Sequence, residues 1–85
     1  MQMKEKETLS TSNFVEICLH YKGTNDYTVL RNKVVKRFCT ERTFLNWEKG
    51  RTAPISKFTA NQVSKLVNSV LNLNTTASTL FPTML

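Results

Sequence analysis

Eighty-five residues allow one small domain with a modest core and a thin stability margin. The net charge of +6 points toward an anionic partner, while two cysteines, Cys18 and Cys39, are too few to staple a secreted fold. No apolar run approaches the ~20 residues of a membrane span, and the polar start has no apolar signal core, so the sequence implies a cytoplasmic, reduced protein with free thiols.

Residues 1–12 mix charges without a periodic apolar face and predict a flexible, disordered N-terminal arm. The first helix is expected over about Asn13–Lys22. Phe14, Ile17 and Tyr21 share one face there, Cys18 or Leu19 flanks them, Ser12 or Asn13 caps the start and Gly23 supplies the stop. Gly23–Asp26 is a turn cluster. The second helix is expected over about Asp26–Phe38, capped by Asp26. Leu30, Val34 and Phe38 lie on one face, and Arg31, Lys33, Lys36 and Arg37 populate the others.

A third helix follows over about Glu41–Lys49, capped by the Thr40 hydroxyl. Phe44 and Trp47 are three apart and share its buried side; Arg42, Asn46 and Lys49 lie opposite, exposed. Gly50 closes the helix and Pro54 prevents a restart. The fourth helix is expected over about Ser56–Leu73, capped by Ser56 or Thr59, with an apolar stripe of Phe58, Val63, Leu66, Val67, Val70 and Leu71. The tail, 74–85, is rich in Thr and Ser and then turns apolar with Leu80, Phe81, Met84 and Leu85; docking on the body, joining a dimer and staying loose all remain open. No stretch alternates with period two and no repeat is visible. The chain reads as all-α: a small four-helix domain, 13–73, between an N-terminal arm and a C-terminal tail.

The charge is concentrated. Between Arg31 and Lys57, eight cations stand against Glu41 and Glu48, and the remaining charges cancel. A basic segment of this kind is the footprint of a polyanion-binding face or, alternatively, a merely solvated surface. Catalytic chemistry finds little support. His20, the sole histidine, sits near Cys18 without a carboxylate set, and the two glycines cannot build a phosphate loop. The cysteines lack metal-ligand spacing. The sequence therefore predicts no enzyme, no cofactor and no metal.

Thr40-Glu41-Arg42-Thr43-Phe44-Leu45-Asn46-Trp47-Glu48-Lys49-Gly50, followed by Pro54, is a hydroxyl cap, a Thr-Phe step and a Trp-Glu-x-Gly ending. Over about Val29–Pro54 the chain resembles the helix-turn-helix of the phage-repressor superfamily, the Cro/C1-like or lambda-repressor-like proteins. It resembles more weakly the small DNA-binding proteins of Bacteroidetes mobile elements. The departures are a turn, Phe38-Cys39-Thr40, with no glycine where the family usually carries one and one residue shorter than in the mobile-element variant, and four helices where many members have five.

That resemblance implies double-stranded DNA as partner, with the third helix in the major groove and the second against the backbone. By position, Glu41, Arg42 and Thr43 open the recognition helix and face bases. Arg42 suits guanine, Asn46 adenine, and Glu41 can accept from cytosine N4. Thr40 at the helix N-terminus would hold a phosphate. Lys49, Arg51 and Thr52 would contact the backbone after the helix, and Arg31, Lys33 or Lys36 before it. Some have a plainer role too: Thr40 caps regardless of function, Glu41 favours the helix dipole, Thr43 can pack inward or bond its own helix, and Glu48 can pair with Arg51 or Lys49, whereas the exposure of Arg42, Asn46 and Lys49 is least explained by folding. The implied role is a transcriptional regulator or recombination accessory factor of a phage or mobile element. A homodimer, meeting through the last helix and the apolar tail, would supply the contacts that one module lacks. The alternative is a small helical interaction module offering Leu80, Phe81 and Met84 to a protein partner.

Overall fold

A computed structural model describes residues 9–82, and its elements are all helical: α1 (Phe14–Tyr21), α2 (Asn25–Arg37), α3 (Glu41–Glu48), α4 (Lys57–Leu71) and α5 (Ala77–Leu80). Among the described residues the fold is all-α, with four longer helices and one short one.

Local chemistry starts each helix. Asn13 caps α1 by accepting from the Glu16 N–H at 2.9 Å, and Glu16 reaches back to the Asn13 N–H at 3.4 Å, a reciprocal capping box. Thr40, Ser56 and Thr76 cap α3, α4 and α5 through their hydroxyls. At α2 the expected cap is corrected. Thr24, not Asp26, is extended and accepts from the Tyr27 N–H at 3.2 Å, while Asp26 already lies in the first turn. Gly23 adopts φ +87°, which only a glycine reaches without strain, and brings Thr24 into capping position.

The core joins Phe14, Ile17 and Cys18 of α1, Leu30 and Val34 of α2, Phe44 and Trp47 of α3, and Val63, Val67 and Leu71 of α4. The stripe expected on the fourth helix is shifted. Phe58 is 68% exposed, because the inward face runs through Ala60, Val63, Val67 and Leu71, and Phe58 points away from it. Leu19 on α1 is likewise exposed, and Tyr21 is only half-buried.

Of the three possibilities left open for the tail, the described part adopts the first. The tail docks on its own domain. Leu80 and Phe81 are 2% and 4% exposed, and the Phe81 ring lies 5.2 Å from that of Phe14 and 6.0 Å from that of Trp47. Upstream, Thr75 is buried and bound on every side. Its N–H donates to Asn68 Oδ1 at 2.7 Å, and its carbonyl accepts from Ser64 Oγ at 2.9 Å and Asn68 Nδ2 at 3.1 Å. Asn72 makes the required reversal in the left-handed region at φ 56°. Disorder is not found at the end of the expected arm: Leu9 is in the core and Ser10 Oγ accepts from the Asn74 N–H at 3.0 Å. Residues 1–8, and Met84 and Leu85 of the tail, lie outside the described residues.

Candidate nucleic-acid interface

The residues singled out by sequence fall around α2, the turn after it, α3, and the loop that follows. The turn explains its missing glycine. Phe38 sits at φ −125°, ψ −23° and Thr40 at φ −85°, ψ 167°, and among the described residues positive φ occurs only at Gly23, Gly50 and Asn72. No backbone position in this turn needs a left-handed residue, so a side chain is tolerated at every step.

α3 is anchored by its underside. Phe44 is fully buried and meets the rings of Phe14 and Tyr27 edge-on at 5.6 and 6.2 Å. Trp47 packs beside it against Phe81. Glu48 departs from expectation: it pairs with neither Arg51 nor Lys49. It is 4% exposed, accepts a hydrogen bond from the Tyr27 hydroxyl, and takes Lys22 Nζ at 2.9 Å on its other oxygen. This carboxylate ties the end of α3 to α2 and to the cap of α1. Burial first, then the hydrogen bond to Glu48 and its negative charge, raise the Tyr27 phenol well above the ordinary range. Burial also raises Cys18, with Glu48 adding to the effect. Sequence reasoning missed Lys22 and Tyr27 as partners because both are distant along the chain.

The opposite face is open. Arg42 and Lys49 are exposed on α3, and Arg51 and Thr52 are exposed just after it. The chain doubles back there: the Asn46 carbonyl accepts from the Arg51 N–H at 2.9 Å and the Thr52 N–H at 3.4 Å, which sets both residues beside the helix end. Gly50 makes the reversal at φ +75°, and a Cβ there would stand 3.1 Å from Val15 Cγ2. Pro54 is buried, fixing the loop beyond. Lys33, Lys36 and Arg37 extend the basic surface along α2.

Other expected site residues sit differently. Thr43 and Asn46 are half-buried on one flank of α3, where an open groove of about 530 Å³ is walled by Thr40, Thr43, Asn46, Thr52, Ile55 and Thr59. Thr40 caps the helix, and its hydroxyl also donates to Thr43 Oγ1 at 3.1 Å. On the other flank Arg31 and Glu41 are joined to each other, Arg31 Nη2 lying 2.7 Å from Glu41 Oε1. This ion pair and its hydrogen bond raise the Arg31 pKa further above its ordinary value. Cys39, half-buried in the turn, has its thiol pKa raised by burial, against a backbone hydrogen bond at Phe44 that lowers it.

Two exposed apolar residues went unnoticed in the sequence. Leu45 lies on the open face of α3, and Ile55 is fully exposed across the groove. The spacing of Leu45 from Glu41 and Lys49, four residues on each side, was the available signal.

Among the described residues no group of three or more His, Cys, Asp or Glu side chains is placed to hold a metal, and no helix is long and apolar enough to cross a membrane. No protein-family model, curated protein or solved structure matches the chain.

Proposed function

We propose that the protein binds double-stranded DNA through α3, in the manner of a phage-repressor-type helix-turn-helix. The observation that carries this reading is the two-sidedness of α3. Phe44, Trp47 and Glu48 lock one side into the core, while Arg42, Lys49 and Arg51 line the other with no anion against them in the described structure. Arg42 at the start of α3 and Lys49 and Arg51 at and after its end leave the exposed side of the helix cationic along its length. A polyanion complements that side.

In this reading Arg42 meets a base edge, and Lys49, Arg51 and Thr52 lie along one phosphate strand, with Lys33 on α2 reaching the other side of the groove. Thr40 and the first N–H groups of α3 face a phosphate. Asn46 and Thr43, half-buried on the groove flank, have less reach than the sequence implied. A regulator or recombination accessory factor is the corresponding biological role, and occupying two half-sites takes two copies.

Of the residues that the protein-interaction alternative offers to a partner, Leu80 and Phe81 are already used inside the domain, and Met84 lies outside the described residues. The same burial removes them from the expected dimer surface.

Retention on duplex DNA across a salt series tests the proposal, comparing wild type with Arg42→Ala and Arg51→Ala. Affinity should fall steeply with salt, and Arg51→Ala should lower the logarithmic slope by about 1, the share of one phosphate contact. No retention even at low salt would refute it.

A further inference from the structure

Among the described residues Phe58 is the one exposed Phe, Tyr or Trp. It stands on the first turn of α4, whose inward side is buried through Ala60, Val63, Val67 and Leu71. Phe58, Asn61 and Lys65 follow at i, i+3 and i+7 and share one face. With Gln62 and residues 75–77 they line an open groove of about 500 Å³. Its walls are held rigidly, because the Thr75 carbonyl accepts from Ser64 Oγ at 2.9 Å and from Asn68 Nδ2 at 3.1 Å. Ser64 and Asn68 are occupied in this way. Asn61, Gln62 and Lys65 make no hydrogen bond or ion pair with other described residues, so their polar groups are open to a ligand.

Charge decides what covers this face. Over residues 49–85 the chain has Lys49, Arg51, Lys57 and Lys65 and no aspartate or glutamate, and no carboxylate lines the groove. A twofold contact with a second copy would crowd the Lys57 and Lys65 side chains of both, with no groove carboxylate to pair them. The complement is an anion that also carries a flat apolar surface. Nucleic acid has that chemistry, and its base faces are open to an aromatic ring where the bases are unpaired; in a duplex they lie inside the stack.

We propose that the groove between α4 and residues 75–77 binds a single strand of nucleic acid, apart from the α3 face. A base stacks on Phe58, Lys65 neutralises a neighbouring phosphate, and the Asn61 and Gln62 amides bond the base edge. Each amide offers both donors and an acceptor, and every base has a π-face, so the contact tolerates any sequence. No residue of α3 lines this groove, and the proposal does not depend on duplex binding there.

The test is fluorescence anisotropy of a short labelled oligothymidylate titrated with the full chain over a salt series. An abasic strand of the same length and charge is the control, since the basic α3 face attracts any strand through its phosphates. Wild type, Phe58→Ala, Phe58→Trp and Lys65→Ala are compared; these side chains are exposed, and thermal melts confirm that each variant is folded. Phe58→Ala should bind the intact strand about tenfold more weakly at an unchanged salt slope, because stacking releases no counterion. Lys65→Ala should lower the slope by about 0.7, the share of one phosphate on a single strand. Wild type should bind the abasic strand about tenfold more weakly than the intact one, whereas Phe58→Ala should bind the two alike. Phe58→Trp, which keeps a π-face, should bind at least as tightly as wild type. Equal affinity of wild type for the intact and abasic strands overturns the proposal, as does a Phe58→Ala protein that binds the intact strand like wild type. Self-association in sedimentation that Phe58→Ala abolishes overturns it as well, by assigning the groove to a second copy. Duplex retention and its loss in Arg42→Ala are independent of these outcomes, so failure here leaves the α3 reading standing.

Discussion

The Tyr27 hydroxyl donates a hydrogen bond to the carboxylate of Glu48, linking α2 to the last residue of α3 inside the core. By local rules Glu48 is badly placed. A negative charge at a helix C-terminus opposes the helix dipole, and a buried carboxylate is costly unless it is paired and hydrogen-bonded. Both objections are met by tertiary partners, Tyr27 on one oxygen and Lys22 on the other. Tyr27→Phe keeps the ring packed against Phe44 but strands a buried acceptor. It should destabilise the domain by about 1–3 kcal/mol, read as a lower denaturant midpoint at an unchanged slope. A variant as stable as wild type would mean that the Glu48 carboxylate finds water or another donor.

The same pair predicts alkaline sensitivity. Burial and Glu48 raise the Tyr27 phenol above its ordinary value, so the folded state keeps its proton where the unfolded chain has lost it. The sign follows from linkage: a raised folded pKa contributes stability that is full below the unfolded value of about 10 and is lost as pH rises above it. Cys18, also raised, acts in the same direction from about 8.5 upward. Denaturant midpoints should therefore be flat near neutrality and fall increasingly above about pH 9. In Tyr27→Phe the part of the decline above about 10 should be smaller. An identical alkaline profile in the two proteins would remove Tyr27 from this account.

Gly50 is constrained twice. Its φ of +75° disfavours any L side chain, and an added Cβ would press on Val15 at 3.1 Å. Gly50→Ala should cost about 1–2 kcal/mol, which for a domain of this size lowers the Tm by roughly 4–16 °C. Gly23 has a similar φ but open space around it, so Gly23→Ala carries only the backbone penalty and should be the milder change. Thermal melts of the two variants separate strain from crowding; equal losses would show that the Val15 contact yields freely.

Much of the helical framework is legible in the sequence because its signals are local. Asn13, Thr40 and Ser56 are caps whose partners lie three residues on, Gly50 is a stop in the chain itself, and the spacing of Phe44 and Trp47 defines a buried side without knowledge of the rest. What was not legible depends on residues far apart. The Glu48 partners lie 21 and 26 positions away, and the Arg31–Glu41 pair bridges 10, so neither follows from helical periodicity. Phe58 was misplaced for a related reason. It fits the apolar count of α4, but which flank faces inward depends on where α2 and the tail lie. On the candidate interface, Arg42 and Lys49 are exposed as their spacing implied, whereas Asn46, whose carbonyl the loop folds back to meet, is half-buried, as is Thr43.

The tail allows the sharpest stability prediction, because its docking settles a role the sequence left open for Leu80 and Phe81. Phe81 lies between Phe14 and Trp47 and is almost fully buried, and Thr75 is fastened to α4 through Ser64 and Asn68. A segment bound in this way belongs to the core and is no spare surface for a partner. Phe81→Ala should open a cavity against α1 and α3 and cost about 3–5 kcal/mol, a large part of the stability of an 85-residue domain. Since Trp47 is the sole tryptophan, its emission should move to longer wavelength as water reaches the ring. Asn68→Ala, which strands the buried Thr75 groups without removing apolar area, should cost less, about 1–3 kcal/mol. A Phe81→Ala protein with wild-type stability and unshifted emission would mean that the tail leaves this position in solution, and would restore Leu80 and Phe81 as candidate partner contacts.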